Sequence, residues 1–361
     1  MADPDRRPAW KSPLFATTAL SLLLLVAVTG WLLTDKATNR SEALKTGGLA
    51  GGAVVALYAL WLNDRRRQVE ERRQAVEQDR YELESSRAEH DRLRVADERF
   101  ARAVELLGHE ADQVRVGALH ALAGLAESRP GYTQTVLDVL CSYLRRPFEH
   151  ARYQDKDATD TAEVENELTV RLSAQRLIND LLPAAHSEAP SYDLDLTGAS
   201  LEYLDLNGRK IGTLTMRQAR LRSRSNLSEC EITGQAWFTD VTTGSGRLAG
   251  KFRCRDTTFG QRAWFSGTTF GWRADFENTR FLGEASFKDA VFENEVLFKG
   301  ARFQDELDLR RTQFKGNADL RFEEPPGTVH LQNTFVAPGR TLQWPGTWQV
   351  EISPEGRVRM Q

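Results

Sequence analysis

Residues 259–287 read FGQRAWFSGTTFGWRADFENTRFLGEASF, and the spacing of phenylalanine in this stretch decides the fold. Phe259, Phe265, Phe270, Phe276, Phe281 and Phe287 are separated by alternating steps of 6 and 5 residues. The alternation continues through Phe292, Phe298, Phe303, Leu309, Phe314 and Leu320. An amphipathic helix repeats its apolar residues at about 3.6 and a half-buried strand at about 2, so neither produces this step. A chain that turns a corner every five or six residues does, because each centre residue then points into one column. The twelve positions form two interleaved series of period 11, and every one is Phe or Leu. Ala263, Ala274, Ala285, Ala301 and Ala318 stand two residues before a centre, where a cramped interior demands a small side chain.

Upstream the step is a plain five. Leu196, Leu201, Leu206, Ile211, Met216 and Leu221 are the centres, often preceded by two by Leu or Ala (Leu194, Ala199, Leu204, Leu214, Ala219). The stretch from Leu227 to Lys251 is irregular and leaves the register there open. The units at 194–221 resemble the A-(D/N)-L-x-x repeat of the pentapeptide-repeat family, and those after 259 resemble its FxxAxFxG variant. The resemblance implies a right-handed quadrilateral β-solenoid over 192–322, each repeat forming one face and four faces one coil. Coils stacking at the ~4.8 Å strand spacing would number about six over 196–320, roughly 30 Å in length. Such units cannot bury themselves alone, so both ends need caps. Residues 323–361, with Trp344, Trp348, Val350 and Ile352 between Pro-Gly turns, read as a β cap, and a helix over 164–182 as the cap of the start.

The N-terminal part has a different texture. After a flank at 1–13, Leu14–Leu33 runs for 20 residues without a charge, about the length that spans a ~30 Å hydrocarbon core. Thr46–Leu62 adds 17 more. A cleaved signal peptide is the competing reading of the first run, with Arg6-Arg7 ahead of it, but a second apolar run follows at once. The expectation is a two-helix transmembrane hairpin at 14–62. Arg65, Arg66, Arg67, Arg72 and Arg73 follow the second run, against Lys36, Arg40 and Lys45 in the loop. The positive-inside bias then puts both termini in the cytoplasm. Gly47/Gly51 and Gly48/Gly52 place small residues at i and i+4, which allows close helix packing, either within the hairpin or in a homo-oligomer.

Residues 63–97 are charged almost throughout and read as an ion-pair-laced helical stalk. Val69, Val76, Tyr81 and Leu83 hint at a coiled-coil seam, but Arg72, Asp79 and Ser86 interrupt it. Over 98–185, three apolar stripes mark a small helical bundle: Phe100–Leu107, Val114–Leu125 and Val136–Leu144, with the helix at 164–182 as the fourth member. The run from Glu98 through Leu122 resembles the helical region between membrane hairpin and repeats in bacterial pentapeptide-repeat membrane proteins.

Chemistry is sparse in this sequence. Cys141, Cys230 and Cys254 are far apart and odd in number, so they make neither a disulfide framework nor a zinc or redox pair, which fits a reducing compartment. The six histidines show no metal spacing, and His120 reads as a packing residue on its helix. The segment 244–250 (GSGRLAG) lacks the Lys-Ser/Thr and following helix of a phosphate loop. No nucleophile elbow, HExxH or kinase signature occurs. No catalytic, cofactor-binding or metal residue is therefore assigned, and no enzyme is expected. Arg217, Arg220, Arg222 and Arg224 form the one basic cluster of the repeat region and a candidate interaction patch. No aromatic residues interleave with it, which argues against nucleic acid. Between 194 and 322 there are 20 Lys/Arg against 17 Asp/Glu, a net of +3, which argues against the acidic DNA mimicry of some members of the family. The function expected is a non-enzymatic scaffold on a bacterial inner membrane, in contact with the lipid bilayer and presenting its repeats to a protein partner. The alternative is a membrane effector of stress or phage defence acting through oligomerised hairpins.

Overall fold

A computed structural model describes residues 13–33, 40–155, 157–244, 250–346 and 348–360. It divides into two compact units, 1–93 and 94–361. In the first, α1 (Pro13–Leu33) is uncharged, and the N-terminal part of α2 (Arg40–Leu106) follows. Among the described residues no helix is long and apolar enough to cross a membrane, so the expected transmembrane hairpin is not shown. The second apolar run is no separate element but the start of α2, which continues through the expected stalk. Val76, Tyr81 and Leu83 are exposed on it, so among the described residues no coiled-coil seam is closed.

In the second unit, the end of α2 packs with α3 (Asp112–Ser128), α4 (Thr133–Arg145) and α5 (Ala162–Leu181). The stripes predicted from the sequence face inward: Ala103 and Leu107, Ala118 and Leu122, Val136, Leu137, Leu140 and Leu144 are all buried. His120 is not; it is exposed, because it lies on the solvent side of α3, between the inward-facing Leu119 and Leu122. The buried histidine is His150, enclosed between Asp160 (3.3 Å) and Glu165 (3.1 Å).

From Leu194 the chain folds into two- and three-residue strands, β1 (Leu194–Asp195) to β25 (Leu342–Gln343), in four parallel sheets of 7, 6, 5 and 7 strands. These are the four faces of a β-solenoid of about seven coils. Strands one coil apart align with a step of 20 at the start (Leu194↔Leu214) and of 22 in the phenylalanine-rich coils, as in Thr258↔Arg280 and Val291↔Gln313. Each series of period 11 therefore alternates between opposite faces, and its members stack at 22. Phe259 lies on Phe281 at 5.1 Å between centroids, Phe265 on Phe287 at 4.8 Å, Phe270 on Phe292 at 4.7 Å and Phe276 on Phe298 at 4.8 Å. The rings are within 5° of parallel in all four pairs. Some positions two before a centre hold Thr instead of Ala, and there the buried hydroxyl donates to the neighbouring coil's carbonyl, Thr279 to Cys254 (2.6 Å) and Thr312 to Phe287 (2.8 Å). Leaving such a group unpaired inside would cost ~1–3 kcal/mol.

The register that the sequence left open resolves into β7 (Glu231–Ile232), β8 (Ala236–Trp237) and β9 (Thr242–Thr243), followed by an insertion that lengthens one coil step to 27 (Trp237↔Trp264). Residues 245–249, in the glycine-rich segment, lie outside the described residues. The coil number exceeds the expected six because β23 (Val329–His330), β24 (Phe335–Val336) and β25 continue the stack beyond 322. Leu331 and Val336 keep the 22-residue step from Leu309 and Phe314, which the Pro325-Pro326 interruption obscures. An antiparallel pair, β26 (Val350–Ile352) with β27 (Val358–Met360), follows.

The first coil would expose a row of unpaired backbone groups, a template for aggregation. Helix α5 covers it with side chains spaced four apart. Arg171, Gln175 and Asn179 donate to the carbonyls of Ser200 (3.4 Å), Glu202 (3.3 Å) and Asp205 (2.6 Å). From α4, the Gln134 amide both accepts from the Asp193 N–H (2.9 Å) and donates to its carbonyl (3.0 Å), as a strand would. The cap is thus made by two helices rather than by α5 alone.

Candidate interaction surface

The four arginines of the predicted patch do not form one free surface. Arg220 and Arg222 both reach Glu149 in the loop after α4, Arg222 at 3.5 Å. Arg222 also lies over the Tyr153 ring (4.5 Å), and its burial lowers its pKa despite the nearby carboxylates. The buried Glu202 carboxylate accepts from Tyr153 (3.2 Å) and Ser223 (3.0 Å), completing a polar joint between loop and solenoid. Arg224 is 3.7 Å from Asp205. Three of the four therefore hold structure together.

Arg217 has a different role. Its guanidinium lies over Trp237, 4.1 Å from the ring centroid. Trp237 stacks on Trp264 at 3.7 Å and 12°. Successive side chains of a strand point to opposite faces. In Ala236-Trp237-Phe238 and Ala263-Trp264-Phe265 the Ala and Phe are buried and the Trp faces out. Both indoles are half-buried, and in-register pairing of β8 with β12 (Ala263–Trp264) brings them together across the 27-residue step. Arg262 approaches Trp264 at 5.9 Å and pairs with Glu284 at 3.3 Å. The result is a cation–aromatic–aromatic column on a rigid, flat sheet. Trp and Arg are enriched among the few residues that carry most of the binding energy at protein interfaces. Sequence reasoning missed this site since it sought aromatics next to the arginines along the chain. The signal available was a tryptophan in the outward slot of two repeats.

On α2, Gly51 is buried against α1: its carbonyl accepts from Ser21 Oγ (2.8 Å), and an added Cβ would stand 3.3 Å from the Ser21 carbonyl. Gly48 and Gly52 have open space around them, and the surroundings of Gly47 lie outside the described residues.

The three cysteines are buried. Burial pushes the Cys141 and Cys230 thiols up to about 12 and Cys254 well above its ordinary value, so none is an available thiolate. Among the described residues no group of His, Cys, Asp and Glu could hold a metal ion.

Residues 276–322 match the family model described as pentapeptide repeats (9 copies). Match and coil geometry together support a pentapeptide-repeat protein. The matched segment is the most regular part of the pentapeptide-repeat solenoid, where every coil step is 22 and every column is Phe or Leu. No curated protein and no solved structure matches the chain at a significant level.

Proposed function

We propose that this chain is a non-enzymatic, membrane-anchored scaffold whose pentapeptide-repeat solenoid docks a protein partner on the face carrying Trp237 and Trp264. The observation that carries the reading is the Arg217–Trp237–Trp264 column, a half-exposed aromatic stack outside a solenoid whose phenylalanine columns are inside. Anchoring is supported by the uncharged run Leu14–Leu33 and by exposed Leu22, Leu23 and Val26 on α1, an apolar surface that water disfavours. The basic residues at 65–73 support a cytoplasmic solenoid at a bacterial inner membrane. The test is affinity capture of crosslinked partners from membranes, comparing the native chain with a Trp237→Ala/Trp264→Ala variant. A specific partner lost in the variant is the expected result, and an identical set of partners overturns the docking face. Recovery of the native chain in the soluble fraction overturns the anchor.

A further inference from the structure

The outer sides of the later coils are laced by ion pairs that bridge one coil to the next. Arg255–Glu277 (2.9 Å), Arg262–Glu284 (3.3 Å), Arg273–Glu295 (3.1 Å), Arg311–Asp289 (2.5 Å) and Lys315–Glu293 (2.8 Å) all join residues 22 apart. One strand register breaks the rule. On the face formed by β11 (Thr258–Phe259), β15 (Arg280–Phe281) and β19 (Arg302–Phe303), Arg280 lies directly opposite Arg302. Like charges directly opposite one another destabilise a sheet. Arg302 is compensated by Glu323 (2.7 Å) and Glu324 (3.9 Å). The Arg280 guanidinium forms no ion pair or hydrogen bond among the described residues, and neither does the Thr258 hydroxyl beside it.

These side chains line a polar concavity of about 280 Å³, which Asn278 and His186 also border. Two carboxylates flank it, each engaged: Asp256 accepts from Asn278 (3.0 Å) and Glu323 from Arg302, with the more distant Arg280 charge also acting on Glu323. They disfavour two charges concentrated on one group, as in a phosphate monoester. A singly charged, planar carboxylate fits better, since it matches the guanidinium fork through two parallel hydrogen bonds.

We propose that this concavity is a carboxylate-binding site, in which Arg280 receives from a ligand the carboxylate that the next coil supplies to the other arginines. Thr258 is placed to donate a further hydrogen bond. The site lies on a different face from the tryptophan column and rests on separate observations. The carboxylate could belong to a free dicarboxylic acid or to an acidic side chain of a bound peptide.

The experiment is isothermal titration of the purified full chain with two probes, glutarate and a hexaglutamate peptide, each against sodium chloride at matched ionic strength. Saturable binding of at least one probe is expected, weakened at least tenfold by Arg280→Gln and only partly by Arg280→Lys. Arg253→Gln, on the preceding face, should leave it unchanged, and circular dichroism confirms that each variant folds. Binding of both probes with equal affinity assigns a small-acid site, and preference for the peptide assigns a partner's side chain. Absence of saturable binding, or binding indifferent to Arg280→Gln, overturns the proposal. Neither outcome depends on Trp237 or Trp264.

Discussion

The inside and the outside of the solenoid are built from the same short strands, yet they follow different rules. Inside, every slot is filled by periodicity: the Phe238–Phe265–Phe287 column repeats at 4.6 and 4.8 Å with nearly parallel rings, and neighbouring columns meet edge to face, as Phe265 does with Phe276 at 5.4 Å. Outside, a slot is set by what stands one coil away, an opposite charge at several positions, a second indole in one and a like charge in another. The difference teaches that the repeat specifies a stack, while the particular chemistry of this protein lies in the few outward slots where cross-coil pairing departs from the common pattern.

Adjacent residues offer the sharpest way to break this comparison. Phe265→Ala should cost about 3–5 kcal/mol, the range for emptying a buried aromatic site, because the rings above and below hold the cavity open. Urea denaturation of the purified chain measures it, and a cost near 1 kcal/mol would mean that the columns relax and the interior is not close-packed. Next in size is the edge. Asn179→Leu removes the donor to the Asp205 carbonyl and should cost about 1–3 kcal/mol through an unsatisfied backbone group. A negligible change would show that water, rather than α5, satisfies the first coil there.

Trp264→Ala, one residue from Phe265, should cost only about 0.5–1.5 kcal/mol, the scale of an aromatic pair beyond its area. Its larger consequence should be partner loss. A cost equal to that of Phe265→Ala would place the indole column with the core and remove the distinction between the two sides.

The smallest effect is electrostatic. Hydrogen bonds from Arg321 hold the Asp319 carboxyl below the usual carboxylate range, and its charge adds to them. A depressed carboxylate contributes stability above its unfolded pKa and loses it as pH falls through the folded value. The native chain should therefore lose this contribution on acidification below about pH 4, and Arg321→Gln should flatten that part of the pH–stability curve. Because the Arg321 side chain is half-exposed, the change should be a fraction of a kcal/mol and fade in high salt.

The sequence by itself determined the interior. Phe and Leu at alternating steps of 6 and 5, with Ala two places before, admit no helix or flat sheet, so a cornered stack was legible down to individual residues from Phe259 to Leu320. The apolar stripes of α3 and α4 were legible for the same reason: an amphipathic period reports directly which side is buried. The seventh coil was not, since Pro325-Pro326 and a changed texture hide a step that only strand pairing displays. The membrane-length reading of residues 14–62 rests on the sequence and is not displayed by the fold.

The tertiary structure alone decided the outside. Arg217 and Trp237 are 20 residues apart, Trp237 and Trp264 are 27 apart, and Arg280 and Arg302 are 22 apart; only closure of the coil brings each pair into contact. The basic cluster of 217–224 was real as a string and dispersed in space, because neighbours along a corner of the solenoid point toward different partners. Local periodicity can be read from one chain because it is set by the pleat and the turn. Cross-coil neighbours cannot, because one five-residue insertion changes every pairing that spans it.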